Sequence, residues 1–321
     1  MKRALIVGIS GQDGAYLARL LVGKGYAVFG GSRDAQAHSF ANLVRLGVRD
    51  RVTLDSVSLN DFRSVLQTLA RIRPDEVYNL AGQSSVALSF QQPVETLESI
   101  AFGTLNLLEA IRFNDRATRL YNAGSSECFG DVLGGAADES TPFRPRSPYA
   151  VAKAAAFWEV ANYREAYDLY ACSGILFNHE SPLRPERFVT RKVIAAACRI
   201  AAGAREKLQL GDLSIARDWG WAPDYVEAMW LMLQQGEPDD FVVATGETYR
   251  LQDFVESAFA RLGLDWREHV VIDAGLQRPS ELRVSRAHPA KAQARLGWKA
   301  RHAMPDVVRL MIEHEKEHGP G

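Results

Sequence analysis

Cysteine is scarce in this sequence, and its spacing excludes the two structures that cysteine usually builds. The chain of 321 residues contains three cysteines, Cys128, Cys172 and Cys198, with no C-x-x-C pair. An odd number without that spacing indicates neither a disulfide framework nor a zinc site. We therefore expect reduced thiols, as in proteins of the cytoplasm.

A large charge and a long apolar run are missing as well. The formal net charge of −1 at pH 7 favours neither nucleic acid nor an anionic membrane as a partner. The apolar run at residues 4–7 ends at Gly8 and is too short for a secretion signal. The most apolar helical stretch, residues 193–204, contains Arg199 and is too short for a membrane span. We expect a soluble, cytoplasmic protein.

Short apolar runs alternate with segments of helical periodicity through the first half of the chain. Strands are expected at residues 4–7, 25–33, 51–56, 76–80, 120–123 and 170–177, and helices at 15–21, 62–71 and 94–113. This alternation predicts an α/β fold with a doubly wound parallel, Rossmann-like sheet, whose ligands bind beyond the carboxyl ends of the strands.

The alternation weakens after the sixth expected strand. Helices are expected at about residues 225–235, 254–262, 289–296 and 305–318. We predict a dinucleotide-binding domain formed by residues 1–177 and approximately 218–246, and a smaller, mostly helical substrate-binding domain formed by approximately 178–217 and 247–321. His179 and Glu180 have no further histidine at ligand spacing, so no metal site is expected.

Three glycines join the first expected strand to the first expected helix. Gly8, Gly11 and Gly14 have G-x-x-G-x-x-G spacing, which lets the backbone approach a pyrophosphate at the helix N-terminus. This favours a dinucleotide site, including Gln12 and Asp13 within the turn, over a plain tight turn.

The end of the second expected strand bears on the choice of cofactor. NAD-binding proteins of this type carry an acidic residue there, whereas this chain has Ser32 followed by Arg33. A guanidinium in place of a carboxylate favours the 2′-phosphate of NADP. The neighbouring Asp34 would repel that phosphate, and Arg33 could be a simple surface charge, so NAD stays open.

The turn after the fourth expected strand lies where cofactor and substrate would meet. Residues at the carboxyl end of a parallel strand reach the ligand crevice. We predict cofactor contacts from Leu80, Ala81 and Gln83, and substrate contacts from Ser84 and Ser85.

Four polar residues follow with spacing that suits proton transfer. If Pro148 opens a helix, Tyr149 and Lys153 lie on one face, where the ammonium can lower the pKa of the phenol and make it a base near neutral pH. Ser125 closes the fifth expected strand and can bind a substrate hydroxyl, and Glu127 adds a second proton-transfer group. A chance helical pair is the alternative.

Long stretches of this sequence resemble the GDP-mannose 4,6-dehydratases, a family within the extended short-chain dehydrogenase/reductase superfamily. The matching stretches are residues 8–14, 78–84, 145–149, 177–182, 188–192, 217–220 and 224–234. The resemblance implies oxidation of C4 of GDP-mannose, elimination of water across C5 and C6, and return of the hydride to C6, which gives GDP-4-dehydro-6-deoxy-D-mannose.

The resemblance also implies roles for individual residues. Ser125, where the family usually has threonine, and Glu127, Tyr149 and Lys153 match catalytic residues, and Tyr149 and Lys153 also contact the cofactor in the superfamily. Contacts with the GDP moiety are implied for Asn178, Lys192, Arg217, Arg278 and Glu281.

The chain departs from the family at positions that affect the cofactor and the assembly. The paired arginines after the second strand are here Arg33-Asp34, and the loop after them, which in the family helps join subunits around the cofactor, is different. The Gly-Asp-Leu after the third strand, whose aspartate contacts adenine in the family, is here Val57-Ser58-Leu59. The NADP preference and the choice between homodimer and homotetramer are therefore open, and the downstream deoxysugar pathway is not encoded in these residues.

Three other functions fit parts of the pattern. A nucleotide-sugar 4-epimerase shares the glycines, Tyr149 and Lys153 but needs no carboxylate at Glu127. A 4-keto-sugar reductase would consume NADPH. A redox-sensing module would use the dinucleotide fold without turnover, but has no need of a base and its activator.

Related dTDP-glucose dehydratases have an aspartate where this chain has Ser126, so Glu127 is expected to act as base and then as acid.

Overall fold

The computed structural model describes residues 1–132, 134–276 and 279–319. Its strands are, in chain order, β1 (Arg3–Val7), β2 (Ala27–Ser32), β3 (Val52–Ser56), β4 (Glu76–Asn79), β5 (Arg119–Ala123), β6 (Ala171–Leu176), β7 (Asn178–Glu180), β8 (Leu208–Leu210), β9 (Ala216–Arg217), β10 (Trp219–Trp221), β11 (Phe241–Val243), β12 (Tyr249–Arg250) and β13 (Val270–Ile272). Within the described residues, no helix combines the length and the apolar character that a membrane span requires.

Seven of these strands form one parallel sheet, in the order β11-β6-β5-β4-β1-β2-β3. The direction of winding changes between β1 and β4, which leaves a crevice at their carboxyl ends. The predicted doubly wound, Rossmann-like fold is thus confirmed, with six strands within three residues of their expected bounds. The seventh strand, β11, was not predicted, because its three apolar residues are too few to show a periodicity.

Helices cover both faces of the sheet and build the C-terminal part. They are α1 (Gln12–Gly23), α2 (Ala41–Arg45), α3 (Phe62–Ile72), α4 (Val86–Gln91), α5 (Pro93–Leu97), α6 (Gly103–Asn114), α7 (Pro148–Tyr167), α8 (Val189–Ala201), α9 (Ala222–Met232), α10 (Leu251–Ala260) and α11 (Met304–His318). The single helix expected at residues 94–113 is α5 and α6 joined through a wider, π-helical turn at Glu98–Phe102. The Thr104 hydroxyl donates a hydrogen bond to the Ile100 carbonyl there, at 2.7 Å.

The apolar side chains pack around the sheet and in a separate C-terminal core. The separate core joins α8, α10 and α11 through residues such as Ile194, Phe254 and Val308, which are fully buried. Trp298, in contrast, belongs to the core around the sheet, together with residues of α1 and α9. The predicted division into two domains stays a prediction.

Candidate active site

The glycine turn between β1 and α1 has the shape of a phosphate cradle. Gly8 has a φ of +90°, and a Cβ on Gly14 would lie 2.4 Å from the Gly8 carbonyl oxygen. Among the described residues, no side chain caps the N-terminus of α1 at Gly11, so its first backbone N–H groups are left for an anion. These features fit the pyrophosphate of a dinucleotide.

Gln12 and Asp13 connect this turn to the segment around β7. The Gln12 amide donates to the His179 carbonyl at 3.2 Å and accepts from the Ser181 hydroxyl at 2.8 Å. The Asp13 carboxylate lies 2.9 Å from His179 Nε2. His179, for which no metal-binding role is expected, stacks on Tyr225 with ring centroids 4.6 Å apart. Both predicted cofactor residues therefore fix the glycine turn to the segment around β7.

The Asp13–His179 pair should make folding stability depend on pH. Burial opposes both charges, but their mutual attraction outweighs it, so the pKa of Asp13 is lowered and that of His179 is raised. The pair therefore contributes fully between their ordinary pKa values of 3.8 and 6.5. That contribution is lost as pH rises through the raised pKa of His179 and as pH falls through the lowered pKa of Asp13.

We expect His179→Gln to lower the free energy of unfolding by about 1–3 kcal/mol at pH 6, and by less at pH 9. Urea unfolding at both pH values measures this difference. Asp13→Asn and the double variant complete a cycle, in which the coupling energy should shrink at pH 9. A coupling energy that does not change with pH would contradict the assignment of an ion pair.

Ser125, Tyr149 and Lys153 meet at the carboxyl end of β5. Pro148 occupies the first turn of α7, and the Ser147 hydroxyl caps the helix by accepting from the Ala150 N–H at 3.1 Å. The structure confirms that Tyr149 and Lys153 share one face of this helix. The Lys153 ammonium donates to the Ala123 carbonyl at 2.7 Å and lies 5.9 Å from the centre of the Tyr149 ring.

The electrostatics of Tyr149 differ from the sequence prediction. Burial raises the pKa of the Tyr149 phenol well above its ordinary value, although a hydrogen bond with Ser125 opposes this shift. Burial also lowers the pKa of Lys153 to about 8. The net shift of the Tyr149 pKa in the protein alone is thus upward, opposite to the direction expected from the sequence, because burial of the phenol is its largest cause.

Arg184 is a further positive charge at this site that the sequence did not reveal. Its guanidinium favours the ionised form of Tyr149, while it pairs with Glu180 at 3.2 Å and stacks on Phe188 at 4.1 Å. No local spacing connects Arg184 to a tyrosine that lies far away along the chain.

Glu127 lies on the single helical turn Ser126–Phe129, which follows β5. The Ser125 hydroxyl caps this turn by accepting from the Glu127 N–H at 3.3 Å. Glu127 is partly exposed, whereas Ser126 is buried. The turn thus brings a partly exposed carboxylate to the same strand end as Tyr149.

The predicted contacts after β4 form a closed turn. Leu80 donates its N–H to the Val7 carbonyl at 2.9 Å, so this turn lies beside the glycine cradle. The Gln83 side chain bonds to both backbone groups of Ser85, with its amide donating to the carbonyl at 2.8 Å. The Ser85 hydroxyl caps α4, and Ser84 and Ala81 are at least partly exposed.

The residues expected to hold the nucleotide lie on different structural elements. Arg217 and Glu281 are brought together at 3.0 Å, and Arg217 also donates to the Leu282 carbonyl at 2.8 Å. Lys192, in the first turn of α8, donates to the Gln209 carbonyl at 2.7 Å. Asn178 lies in β7, opposite Trp219 of β10. The prediction for Arg278 lies outside the described residues.

Arg33 and Asp34 follow β2 on the surface. The Arg33 side chain is 89% exposed and forms a long ion pair with Glu95, at 3.8 Å. Asp34 accepts hydrogen bonds from the N–H groups of Gln36 and Ala37, each at 2.9 Å. These bonds lower the pKa of Asp34 and commit its carboxylate to the loop. The Arg33 guanidinium, in contrast, is accessible to a ligand.

Comparisons with known proteins match the family that the sequence resembles, over nearly the whole chain. The sequence model described as GDP-mannose 4,6 dehydratase matches residues 5–311. GDP-mannose 4,6 dehydratase 1 of Arabidopsis thaliana is 48% identical over 326 residues, which cover 98% of this chain and 90% of the relative. The Dictyostelium discoideum GDP-mannose 4,6 dehydratase is 42% identical over 344 residues, covering 99% and 96%.

Solved structures of nucleotide-sugar enzymes share the fold. The Thermus thermophilus UDP-glucose 4-epimerase in complex with NAD has a TM-score of 0.85 and 28% identity, covering 98% of this chain and 99% of that one. The Bacillus anthracis dTDP-glucose 4,6-dehydratase has a TM-score of 0.87 at 16% identity, covering 99% and 98%, which shows the fold alone. Together with the family match, these findings lead to one conclusion: this chain belongs to the GDP-mannose 4,6-dehydratase family.

Proposed function

We propose that this chain is a hydro-lyase that converts GDP-mannose into GDP-4-dehydro-6-deoxy-D-mannose. The observation that carries the proposal is a carboxylate, Glu127, at the same strand end as the Ser125, Tyr149 and Lys153 set. Oxidation at C4 needs only that set and a hydride acceptor, whereas elimination across C5 and C6 needs a further acid and base. Membership of the family supports the same substrate and reaction.

A nicotinamide dinucleotide fits the glycine cradle, with Gly8, Gly11 and Gly14 along its pyrophosphate. When bound, it supplies reversible hydride transfer at the sugar. Tyr149 and Lys153 adjoin that region, so they are the residues proposed to orient its reactive end.

Tyr149 is proposed to remove the proton of the C4 hydroxyl, which Ser125 orients by hydrogen bonding. Since burial holds the phenol protonated in the protein alone, this step needs additional positive charge beside the phenol. Lys153 and Arg184 are already present in the protein alone, where burial of the phenol prevails. The oxidised nicotinamide ring, which is cationic, would supply the further charge when bound. The Lys153 ammonium also anchors the helix to the end of β5 through the Ala123 carbonyl.

Glu127 is proposed to act twice. The C4 ketone makes the C5 proton acidic, and Glu127 removes this proton as a base. The same group, now a carboxylic acid, protonates the departing C6 hydroxyl, which leaves as water. When the hydride returned to C6, C5 would take up a proton from solvent, and the proton that Tyr149 took from the C4 hydroxyl would pass to solvent. Ser126 cannot share this task, because a hydroxyl does not ionise at neutral pH.

The nucleotide end is proposed to bind where Arg217 and Glu281 meet, with Lys192 and Asn178 at its border. Arg217 is buried and keeps a charge-assisted pair to Glu281, so it is preorganised for a polar ligand. Ser84 and Ser85 are proposed to contact the sugar from the turn after β4.

The first test is to incubate the purified protein with GDP-mannose and a catalytic amount of NADP⁺. Mass spectrometry should show a nucleotide-sugar that has lost one water, without net accumulation of reduced cofactor. An unchanged substrate mass would contradict the proposed function. A mannose epimer of unchanged mass would favour the epimerase alternative, against which the presence of Glu127 argues.

We propose NADP as the preferred cofactor, because Asp34 is committed to its own loop and Arg33 is accessible beside it. Arg33→Ala is expected to raise KM for NADP⁺ about tenfold, which corresponds to about 1.4 kcal/mol for one charge-assisted contact. KM for NAD⁺ should change less than twofold, by the dehydration assay. Arg45→Ala, on the exposed face of α2, is the matched control. Equal effects on both cofactors would contradict a 2′-phosphate contact.

A further inference from the structure

A segment of the C-terminal part lies between the loop that follows Glu127 and strand β9, which contains Arg217. We call residues 281–288 the bridging segment. On one side, the Ala137 N–H donates to the Arg286 carbonyl at 2.8 Å. On the other side, the Ala216 N–H donates to the Arg283 carbonyl at 2.8 Å. The bridging segment therefore connects the loop after Glu127 with the proposed nucleotide site.

One carboxylate, that of Asp131, ties the bridging segment to the catalytic loop. Its Oδ1 accepts hydrogen bonds from the backbone N–H groups of Arg283 at 2.6 Å and Val284 at 3.3 Å. Its Oδ2 accepts from the Arg146 guanidinium at 3.0 Å. The Asp131 side chain is only 14% exposed, so its bonds are partly shielded from water.

The partners of Asp131 lie close in sequence to residues of the proposed reaction. Asp131 comes four residues after Glu127, and Arg146 three residues before Tyr149. Arg283 comes two residues after Glu281, the partner of Arg217. Asp131 thus connects three elements: the turn that carries Glu127, the start of α7 with Tyr149, and the bridging segment.

We propose that Asp131 is a positioning residue that holds the bridging segment in a fixed position relative to Glu127 and Tyr149. This inference rests on the proposed function. The nucleotide is gripped at one end of the ligand, while proton transfer at C4 and C5 occurs at the other. A shift of about 1 Å between the two ends can lower a rate about a hundredfold without weakening the grip itself.

The same loop offers a matched control in Asp138. Its carboxylate also accepts several hydrogen bonds, from the Ser140 N–H at 3.0 Å, the Ser140 hydroxyl at 2.7 Å and the Thr141 hydroxyl at 3.1 Å. These partners all lie within three residues of Asp138. Asp138→Ala therefore tests the local stability of the loop without removing a hydrogen bond to the bridging segment, where His288 has only an electrostatic interaction with Asp138.

The test compares turnover of GDP-mannose with equilibrium binding of GDP, measured by calorimetry. Asp131→Ala is expected to lower kcat by about tenfold to a hundredfold, while the Kd for GDP stays within about threefold and the number of binding sites is unchanged. Asp138→Ala should leave kcat within about twofold. Asp131→Asn should lie between Asp131→Ala and the wild type, because its amide oxygen can still accept from the two N–H groups but loses the ion pair with Arg146.

Three results would overturn the proposal. Wild-type kcat in Asp131→Ala would show that the contacts of Asp131 have no role in turnover. A loss of GDP affinity as large as the loss of kcat would make Asp131 part of nucleotide binding. Equal losses in Asp131→Ala and Asp138→Ala, with fewer binding sites, would show a structural role only. A wild-type enzyme inactive on GDP-mannose would instead overturn the proposed function, together with the inference that rests on it.

Discussion

Glu127→Gln is expected to abolish the loss of water from GDP-mannose while leaving GDP-mannose binding intact. The glutamine keeps the shape and the backbone bond to Ser125, but it can neither take the C5 proton nor protonate the C6 hydroxyl. The rate of dehydration should fall by about 10²–10⁴-fold. Mass spectrometry of the nucleotide-sugar measures the rate, and calorimetry measures binding.

Reactions in D₂O separate elimination from the other steps. The wild type should introduce solvent deuterium at C5 of the product, whereas Glu127→Gln should introduce none. Glu256→Gln, at an exposed position of α10, is the matched control and should behave as the wild type. Undiminished water loss by Glu127→Gln would remove Glu127 from the mechanism.

Tyr149→Phe is expected to have a comparably large effect at an earlier step. Removing the phenol oxygen leaves the ring packed beside Ile100 and Ala152 but leaves no group to accept the C4 proton. Dehydration should fall by about 10²–10⁴-fold. Since the missing group is the base itself, raising the pH from 7 to 10 should not restore the rate, as kcat measurements across that range would show.

Tyr163→Phe provides the comparison on the same helix. The Tyr163 hydroxyl donates to Glu109 at 2.6 Å, away from the strand end that carries the site. Its loss should lower the free energy of unfolding by about 1 kcal/mol with little effect on kcat. If Tyr149→Phe kept wild-type activity, or if high pH restored it, the phenol would not be the base.

The parts of the site that the sequence predicts correctly depend on local rules. Ser147 and Pro148 are the cap and first residue of a helix, so four-residue spacing was enough to place Tyr149 and Lys153 on one face. The glycine turn is local too, because Gly14 must be small where it contacts the Gly8 carbonyl.

The parts that the sequence could not predict depend on contacts between distant segments. The pKa of Tyr149 follows from how much protein surrounds its hydroxyl, which spacing along a helix does not reveal. Arg217 and Glu281 are 64 residues apart, and Asp131 and Arg283 are 152 residues apart. Resemblance to the family implied the first pair as GDP contacts, but nothing in the sequence indicated that they bond to each other.

The most direct test of the proposed reaction uses GDP-mannose labelled with deuterium at C4. The product is expected to have lost one water and to carry the deuterium at C6, because the hydride taken from C4 returns to the same sugar. Product with the deuterium missing, or a labelled sugar that has lost no water, would contradict the internal oxidation, elimination and reduction proposed for this protein.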